Sequence, residues 1–136
     1  MKVKCGIIYN ALQTILEFSE KPMKVSLAGK FLRLSDDLQK ESNYIDKQRR
    51  EILMKYGEKD ENGELIVENG NVKLLEGTVD LAQNDLNELS DLEVEIPDRM
   101  ITEEDLEASD LQLTLSQLGK IREFFHKNEK VENIKE

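Results

Sequence analysis

One apolar series constrains the fold of this chain more than any other feature. Between Ser26 and Tyr56, apolar residues recur at seven-residue steps, at Phe31, Leu38, Ile45 and Ile52. This spacing predicts a single helix over 26–56 that is about 45 Å long. Because a rod of that length exceeds what a small domain covers, we expect part of the helix to project. We expect the residue after it, Gly57, to end the helix in the left-handed conformation.

The same series bears on the oligomeric state. A seven-residue apolar repeat favours pairing with another helix, either in a second chain or in the same chain. Two polar residues, Ser42 and Arg49, occupy the second seam position near the middle of the helix and interrupt the repeat. A homo-oligomer and an intrachain helical hairpin are therefore both compatible with the sequence.

The rest of the chain alternates short helical and extended patterns. Apolar spacings of three and four residues predict helices, and strict alternation predicts strands. The predicted elements are a helix over 6–19, a corner over 20–24, a β-hairpin over 64–75, a helix over 78–90 capped by Thr78, a strand over 92–96, a short helical turn at Thr102 and a last helix from Thr114. The predicted fold is mainly α with a small β part (α+β): an N-terminal helical hairpin with one long helix, a β-hairpin plus a third short strand, and two further helices.

The predicted β-hairpin turns at Asn69-Gly70, a pair that tolerates the positive φ angles of a type I′ turn. This turn places Val67 opposite Val72 and Leu65 opposite Leu74 on one face of the hairpin. Since two strands alone are only marginally stable, this apolar face must rest on a helix or pair with a third strand.

The C-terminal part of the domain ends in a helix. Thr114 and Gln117 fit a capping box at its start. The apolar residues available to its buried side are Leu115, Leu118, Ile121, Phe124 and Phe125. We predict one domain over 1–126 and a charged tail over 127–136, since 136 residues are the size of a single ordinary domain.

Charge divides the chain at Gly57. Residues 1–57 carry eleven Lys and Arg against seven Asp and Glu, whereas residues 58–110 carry three against eighteen. The whole chain has a formal net charge of −10. We expect the two parts to neutralise one another in part, and the remaining negative charge to lie mainly between Glu93 and Asp110.

The residues that usually carry catalysis are scarce. Cys5 is expected to be a buried thiol at a helix start, and His126 an exposed cation near a helix C-terminus. The stretch 58–69 resembles a calcium loop around Gly63, but Asn69 at the last loop position cannot supply the bidentate carboxylate. We predict no catalytic, cofactor-binding or metal-binding residue, and no enzymatic activity.

Neither nucleic acid nor a membrane is an expected partner. The one basic concentration comprises Lys47, Arg49, Arg50 and Lys55, and the net charge of −10 opposes a long-range approach to nucleic acid. No run reaches the roughly 20 apolar residues that cross a bilayer. We therefore expect a soluble protein of the cytoplasm.

Several short motifs resemble a known group of proteins. The motifs are the run KYGEKDENGE at 55–64, then Asn69-Gly70-Asn71, then Leu86-Asn87-Glu88-Leu89 leading to Val94-Glu95-Ile96-Pro97. They are similar to a family of small proteins of unknown function from phages and prophages of Gram-positive bacteria. The resemblance covers roughly residues 25–125. It implies a phage origin, a bacterial host cell and a non-enzymatic domain of helices with a hairpin, and it transfers no site residue.

These observations favour an interaction protein that binds another protein, either a phage virion component or a host protein. An accessory morphogenesis factor or a minor virion protein fits this hypothesis, and such a protein would be cytoplasmic or virion-associated. The partner-binding residues that we predict are Tyr44, Lys47, Gln48, Arg49 and Glu51 on the projecting helix, and Glu93, Glu95, Asp98, Glu103, Glu104 and Asp105 on an acidic face.

A second hypothesis assigns the acidic face a different task. Carboxylates at suitable spacing imitate the phosphates of a nucleic acid and can occupy a basic groove. The protein would then be a stoichiometric inhibitor of a host defence or replication protein. Steep loss of affinity with salt is typical of such a mimic, and it separates this hypothesis from docking through apolar helix surface.

Overall fold

The computed structural model describes residues 1–127. The elements are β1 (Lys2–Lys4), α1 (Cys5–Glu17), α2 (Val25–Tyr56), β2 (Val67–Glu68), β3 (Asn71–Val72), α3 (Val79–Asp91), β4 (Glu93–Glu95), α4 (Glu103–Ala108) and α5 (Leu115–Ile121), followed by a 3₁₀ turn at Arg122–Phe124. The predicted fold class, mainly α with a small β part, is confirmed. The predicted tail lies outside the described residues from position 128 onward.

The long helix α2 is the spine of the molecule, and two shorter helices lie end to end along it. α1 packs against its first half, where the rings of Phe18 and Phe31 meet edge to face at 5.3 Å. α3 runs back along its second half from Tyr56, whose hydroxyl donates to Asp85 at 2.8 Å. The end of α3 reaches the start of α1, where the Cys5 N–H donates to the Leu92 carbonyl at 2.8 Å.

This arrangement accounts for the seven-residue series. Phe31 and Leu38 are buried, and Ile45 and Ile52 are half-buried. The series therefore packs within the chain, and the second half of α2 is not a free rod, because α3 lies along it.

The hydrophobic core surrounds α1 and the first half of α2. Segment 96–125 wraps over these two helices and contributes Ile96, Ile101, Leu106, Ile121, Phe124 and Phe125 to the core. Ionic contacts hold the segment in place, since Arg99 donates two hydrogen bonds to Asp37 at 2.7 and 2.8 Å. The core thus lies at one end of the molecule.

Two small antiparallel sheets complete the fold. The predicted strand at 92–96 is present as β4, and its partner is β1, with Val3 opposite Val94. β1 escaped prediction because Lys2–Lys4 offers one apolar residue between two lysines, which is too short for a pattern. In the hairpin, Val67 lies opposite Val72 as predicted.

The predicted pairing of Leu65 with Leu74 is wrong. The segment after α2 enters the hairpin, so that Gly57 pairs with Leu74 and Lys59 with Leu65. Glu58 is bonded to both strands of the hairpin, since its N–H donates to the Lys73 carbonyl and its own carbonyl accepts from the Ile66 N–H. This segment provides the third-strand support that the hairpin needs.

The predicted conformation of Gly57 is also wrong. Its φ is −79°, which is extended backbone and not the left-handed region. Glycine is required there by a close approach, because a Cβ would lie 2.5 Å from the Leu53 carbonyl oxygen and would collide with Leu65. The helix ends at Tyr56, as predicted.

Caps at the helix starts agree with the sequence in two cases out of three. Thr114 with Gln117, and Thr102 with Asp105, form complete capping boxes. Thr78 stands at the predicted N-cap of α3, but its hydroxyl donates backward to the Leu75 carbonyl and caps nothing. The expectation that Leu115 is buried is wrong, because its side chain is 88 % exposed.

Candidate functional site

The residues predicted on α2 do not form a single surface. Tyr44, Lys47 and Glu51 are exposed, and their spacing places them on one face. Gln48 is half-buried. Arg49 belongs to another face, which lines a groove between the helices. The structure thus separates Arg49 from the other predicted residues.

This groove lies where α1, α2 and α3 meet, and its volume is about 610 Å³. Its apolar walls include Tyr9, Ile45, Leu86 and Leu89. Cys5 also borders it, but burial, followed by the nearby Glu41 carboxylate, raises the pKa of the thiol. A thiol held in the neutral form is a poor nucleophile. The groove offers apolar surface to a ligand, with Asp46 and Arg49 as its charged groups.

The predicted acidic face is partly neutralised within the chain. The amino group of Met1 contacts Glu95 at 2.9 Å, and Lys30 contacts Asp105 at 2.9 Å. Arg122 lies 3.6 Å from Glu103. In the part of the chain that the structure describes, Glu93 and Glu104 are exposed and have no ion-pair partner.

The sixth residue of that face, Asp98, is held by His126. Nδ1 of the imidazole lies 2.7 Å from Oδ2 of Asp98, and the backbone N–H of His126 donates to the Ile101 carbonyl at 2.7 Å. Desolvation raises the pKa of Asp98, but hydrogen bonds from His126 and from the Met100 N–H outweigh it and lower the pKa. His126 is half-buried, contrary to the prediction of an exposed cation. The pair fastens the C-terminal end of the domain to the segment after β4.

Asp105 is held in a similar way. The hydrogen bond from Lys30, together with bonds from the backbone and side chain of Thr102, lowers the pKa of this carboxyl. The same carboxylate completes the capping box at the start of α4. Asp98 and Asp105 are therefore part of the fold's internal contacts, which reduces the charge that this face presents to a partner.

The burial of apolar side chains differs sharply between the two ends of the molecule. We call residues 1–42 and 92–127 the proximal half, and residues 43–91 the distal half. In the distal half, 2 of 17 apolar side chains are buried, namely Tyr56 and Ala82. In the proximal half, 17 of 33 are buried. The distal half therefore leaves most of its apolar side chains exposed or half-covered.

Five large apolar side chains of the distal half are more than 40 % exposed, and of these only Tyr44 belongs to the predicted site. The other four are Val67, Leu75, Val79 and Leu81. One signal in the sequence bears on the two that lie in α3. Leu81 lies two positions after Val79, so these two side chains occupy opposite faces of α3. The helix therefore cannot bury both of them against α2.

The described residues contain neither a metal-binding cluster nor a membrane-spanning helix. Within residues 1–127, no group of three or more His, Cys, Asp or Glu side chains is arranged to hold a metal ion. None of the helices in this part of the chain combines the length and the apolar character needed to cross a membrane.

Comparison with known proteins identifies no relative. The chain matches no protein-family model, no curated protein and no solved structure at a significant level.

Proposed function

We propose that this protein is a non-enzymatic protein-binding module that docks on its partner through the distal half. The observation that carries the proposal is the incomplete burial of that half, where 2 of 17 apolar side chains are buried. Apolar surface that the fold leaves uncovered is typical of protein-interaction sites. Covering it with a partner would supply the hydrophobic free energy that the distal half lacks.

The resemblance of the motifs at 55–64 and 94–97 to a phage and prophage family supports a phage origin. A small module of this kind fits an accessory morphogenesis factor or a minor virion protein. It would act in the cytoplasm of the bacterial host or as part of the virion. Its mechanism would be docking of a preformed surface, since all helices that form the surface are already in place.

The inhibitor hypothesis relies on free carboxylates on the predicted acidic face. Four of the six are engaged, by the Met1 amino group, His126, Arg122 and Lys30. A nucleic-acid mimic would have to give up these contacts or act through the remaining charge. We therefore place docking through apolar surface first.

The test is an affinity capture from the bacterial host with the full-length tagged chain, followed by mass spectrometry. Val79→Ser removes an apolar side chain that is 60 % exposed in the distal half. Its matched control is Leu115→Ser, at an exposed position of the proximal half. We expect a partner that the wild type and Leu115→Ser retain and Val79→Ser loses. Equal capture by both variants would contradict docking through the distal half.

A further inference from the structure

The groove at the α1 junction continues along the distal half. Gln83, Leu86 and Ser90 line the groove on α3, and Val79 lies four and seven residues before the first two. Residues at these spacings share one face of a helix, so Val79 extends the groove by a turn. On α2, Leu53 extends the face of Ile45 and Arg49 in the same way. We call the surface formed by Ile45, Arg49, Leu53, Val79, Gln83 and Leu86 the distal groove.

The distal groove has the dimensions of a helix-binding site. From Val79 to Ser90 the α3 wall rises about 16 Å, which corresponds to three helical turns. In the proximal half, segment 96–125, which includes α5, packs over α1 and the first half of α2. In the distal half, Val79 is 60 % exposed, and Ile45, Leu53 and Leu86 are half-buried. Two packed helices with such an apolar seam accept a further helix as the next layer.

The charge around the groove selects the kind of helix. Residues 57–91, which include the α3 wall, carry ten Asp and Glu against two lysines, a net charge of −8. The α2 wall adds Asp46 and Arg49, one charge of each sign. Both lysines are already engaged, since Lys59 donates to the Met54 carbonyl and Lys73 contacts Glu58 and Glu68. Glu76 lies three residues before Val79, and Asp80 follows it directly. Both carboxylates are exposed and have no ion pair among the described residues. A cationic partner fits this wall.

The same charge argues against a second copy of this chain as the occupant. Each copy carries −10, so two copies repel one another at long range. The seven-residue series that favoured self-association is also turned toward α1 and α3. A lysine- or arginine-rich helix with one apolar face satisfies both the apolar seam and the acidic wall.

We propose that the distal groove binds a cationic amphipathic helix of the partner protein. This inference rests on the proposed function and adds the chemistry of the partner. The apolar face of the incoming helix would cover Val79, Leu86 and Ile45. Its basic residues would lie against Glu76 and Asp80 on the α3 side.

The direct test is a titration of the full-length ¹⁵N-labelled protein with a synthetic amphipathic peptide of leucine and lysine. A length of about 18 residues covers the groove and allows the peptide to form a helix. A peptide with the same composition in scrambled order, and a leucine–glutamate peptide with the same apolar face, are the controls. We expect amide shifts to concentrate at 45–53 and 76–90 with the leucine–lysine helix and not with the controls.

Variants assign the roles of charge and apolar surface. The double change Glu76→Lys with Asp80→Lys should weaken peptide binding by about tenfold, which corresponds to about 1.4 kcal/mol. The double change Glu104→Lys with Glu107→Lys, at two exposed carboxylates of the proximal half that have no ion pair among the described residues, is the matched charge reversal and should change peptide binding less than twofold. Val79→Ser should weaken binding while leaving the denaturation midpoint unchanged, which separates lost contact from lost folding.

Several results would overturn the inference. Shifts centred on 93–105, or equal binding of the glutamate peptide, would exclude a cationic helix in the distal groove. Concentration-dependent dimers in sedimentation, with shifts at the same groove, would assign the surface to a second copy. If the peptide fails to bind but host capture still depends on Val79, the partner chemistry is wrong and the proposed function stands. If the peptide binds but capture does not depend on Val79, the proposed function is wrong.

Discussion

Phe31 and Leu38 in the proximal half of α2 belong to the same seven-residue series as Ile45 and Ile52 in its distal half, yet only the first pair is buried. The pattern along the helix is the same, so the difference comes from what covers it. α1 and segment 96–125 cover the first half of α2, whereas α3 and the hairpin cover its second half. A periodic pattern thus identifies a face without revealing how completely the fold buries it.

The two halves also differ in how their helices are fastened. In the proximal half, α4 and α5 begin with complete capping boxes, and Lys30, Arg99 and His126 tie the surrounding segment down. α1, α2 and α3 all begin without a side-chain cap, so the difference in fastening lies in segment 96–125. From these ties and from the fuller burial of the proximal half, we infer that the proximal half supplies most of the stability, and that the distal half is the part that gains from a partner.

The largest expected effect comes from truncating the proximal core. Phe31→Ala removes a buried ring that packs on Phe18, and it should lower the free energy of unfolding by about 3–5 kcal/mol. Leu53→Ala, at a half-buried distal position on the same helix, should cost no more than about 2 kcal/mol because less area is buried there. Urea denaturation measures both. Equal losses would mean that the two halves contribute alike.

The second effect tests the joint between α2 and the hairpin. Gly57→Ala places a methyl group against the Leu53 carbonyl and the Leu65 side chain, so it should destabilise the protein by about 1–3 kcal/mol. Gly119→Ala is the control, because nothing lies within 4 Å of a Cβ at that position inside α5. It should stabilise the protein by up to about 1 kcal/mol. A neutral Gly57→Ala would show that the joint is loose.

Much of the fold is predictable from the sequence, because its helices obey local rules. α1, α2 and α3 follow from apolar spacing, and the caps of α4 and α5 follow from Thr102 and Thr114 with the polar residue three positions later. The errors arise where distant segments meet. Gly57 and the register of Leu65 depend on a strand-like segment wedged into the hairpin, and β1 depends on a partner more than 85 residues away.

The candidate site is less predictable, for a related reason. The sequence shows where carboxylates are numerous, but not that Asp98 and Asp105 are held by His126 and Lys30. It shows that Val79 lies on an apolar stripe, but not that the stripe stays open. Partner-binding surface is what the fold leaves uncovered, and that becomes visible only when the packing of the whole chain is known.

The third effect compares helix caps in the two halves. Thr102→Ala removes the hydroxyl that accepts from the Asp105 N–H and should cost about 1 kcal/mol. Thr78→Ala removes a hydroxyl that donates to the Leu75 carbonyl and caps no N–H, so the loss should be smaller. Thermal unfolding of the two variants gives the comparison. A larger loss for Thr78→Ala would contradict the view that α3 begins without a side-chain cap.

The smallest effect separates the halves by pH. The pKa of Asp98 is lowered in the folded protein, so the folded state favours the carboxylate. The stability that it contributes is present above the ordinary pKa of an aspartate and is lost as the pH falls from there through the lowered pKa of the folded protein. Asp98→Asn should therefore cost about 0.5 kcal/mol at pH 7, in the range of partly exposed ion pairs, and nothing at low pH.

The control for this change is Glu104→Gln, which alters an exposed carboxylate without an ion pair in the described chain and should be neutral at both pH values. Asp98 and Asp105 both lie in segment 96–125, and the pKa of each is lowered in the folded protein. Hydrogen exchange, corrected for intrinsic rates, should therefore show the protection of segment 96–125 falling more steeply with acid than that of α3. A parallel fall in both would mean that the two halves unfold as one unit, and that the division drawn along α2 is one of burial alone.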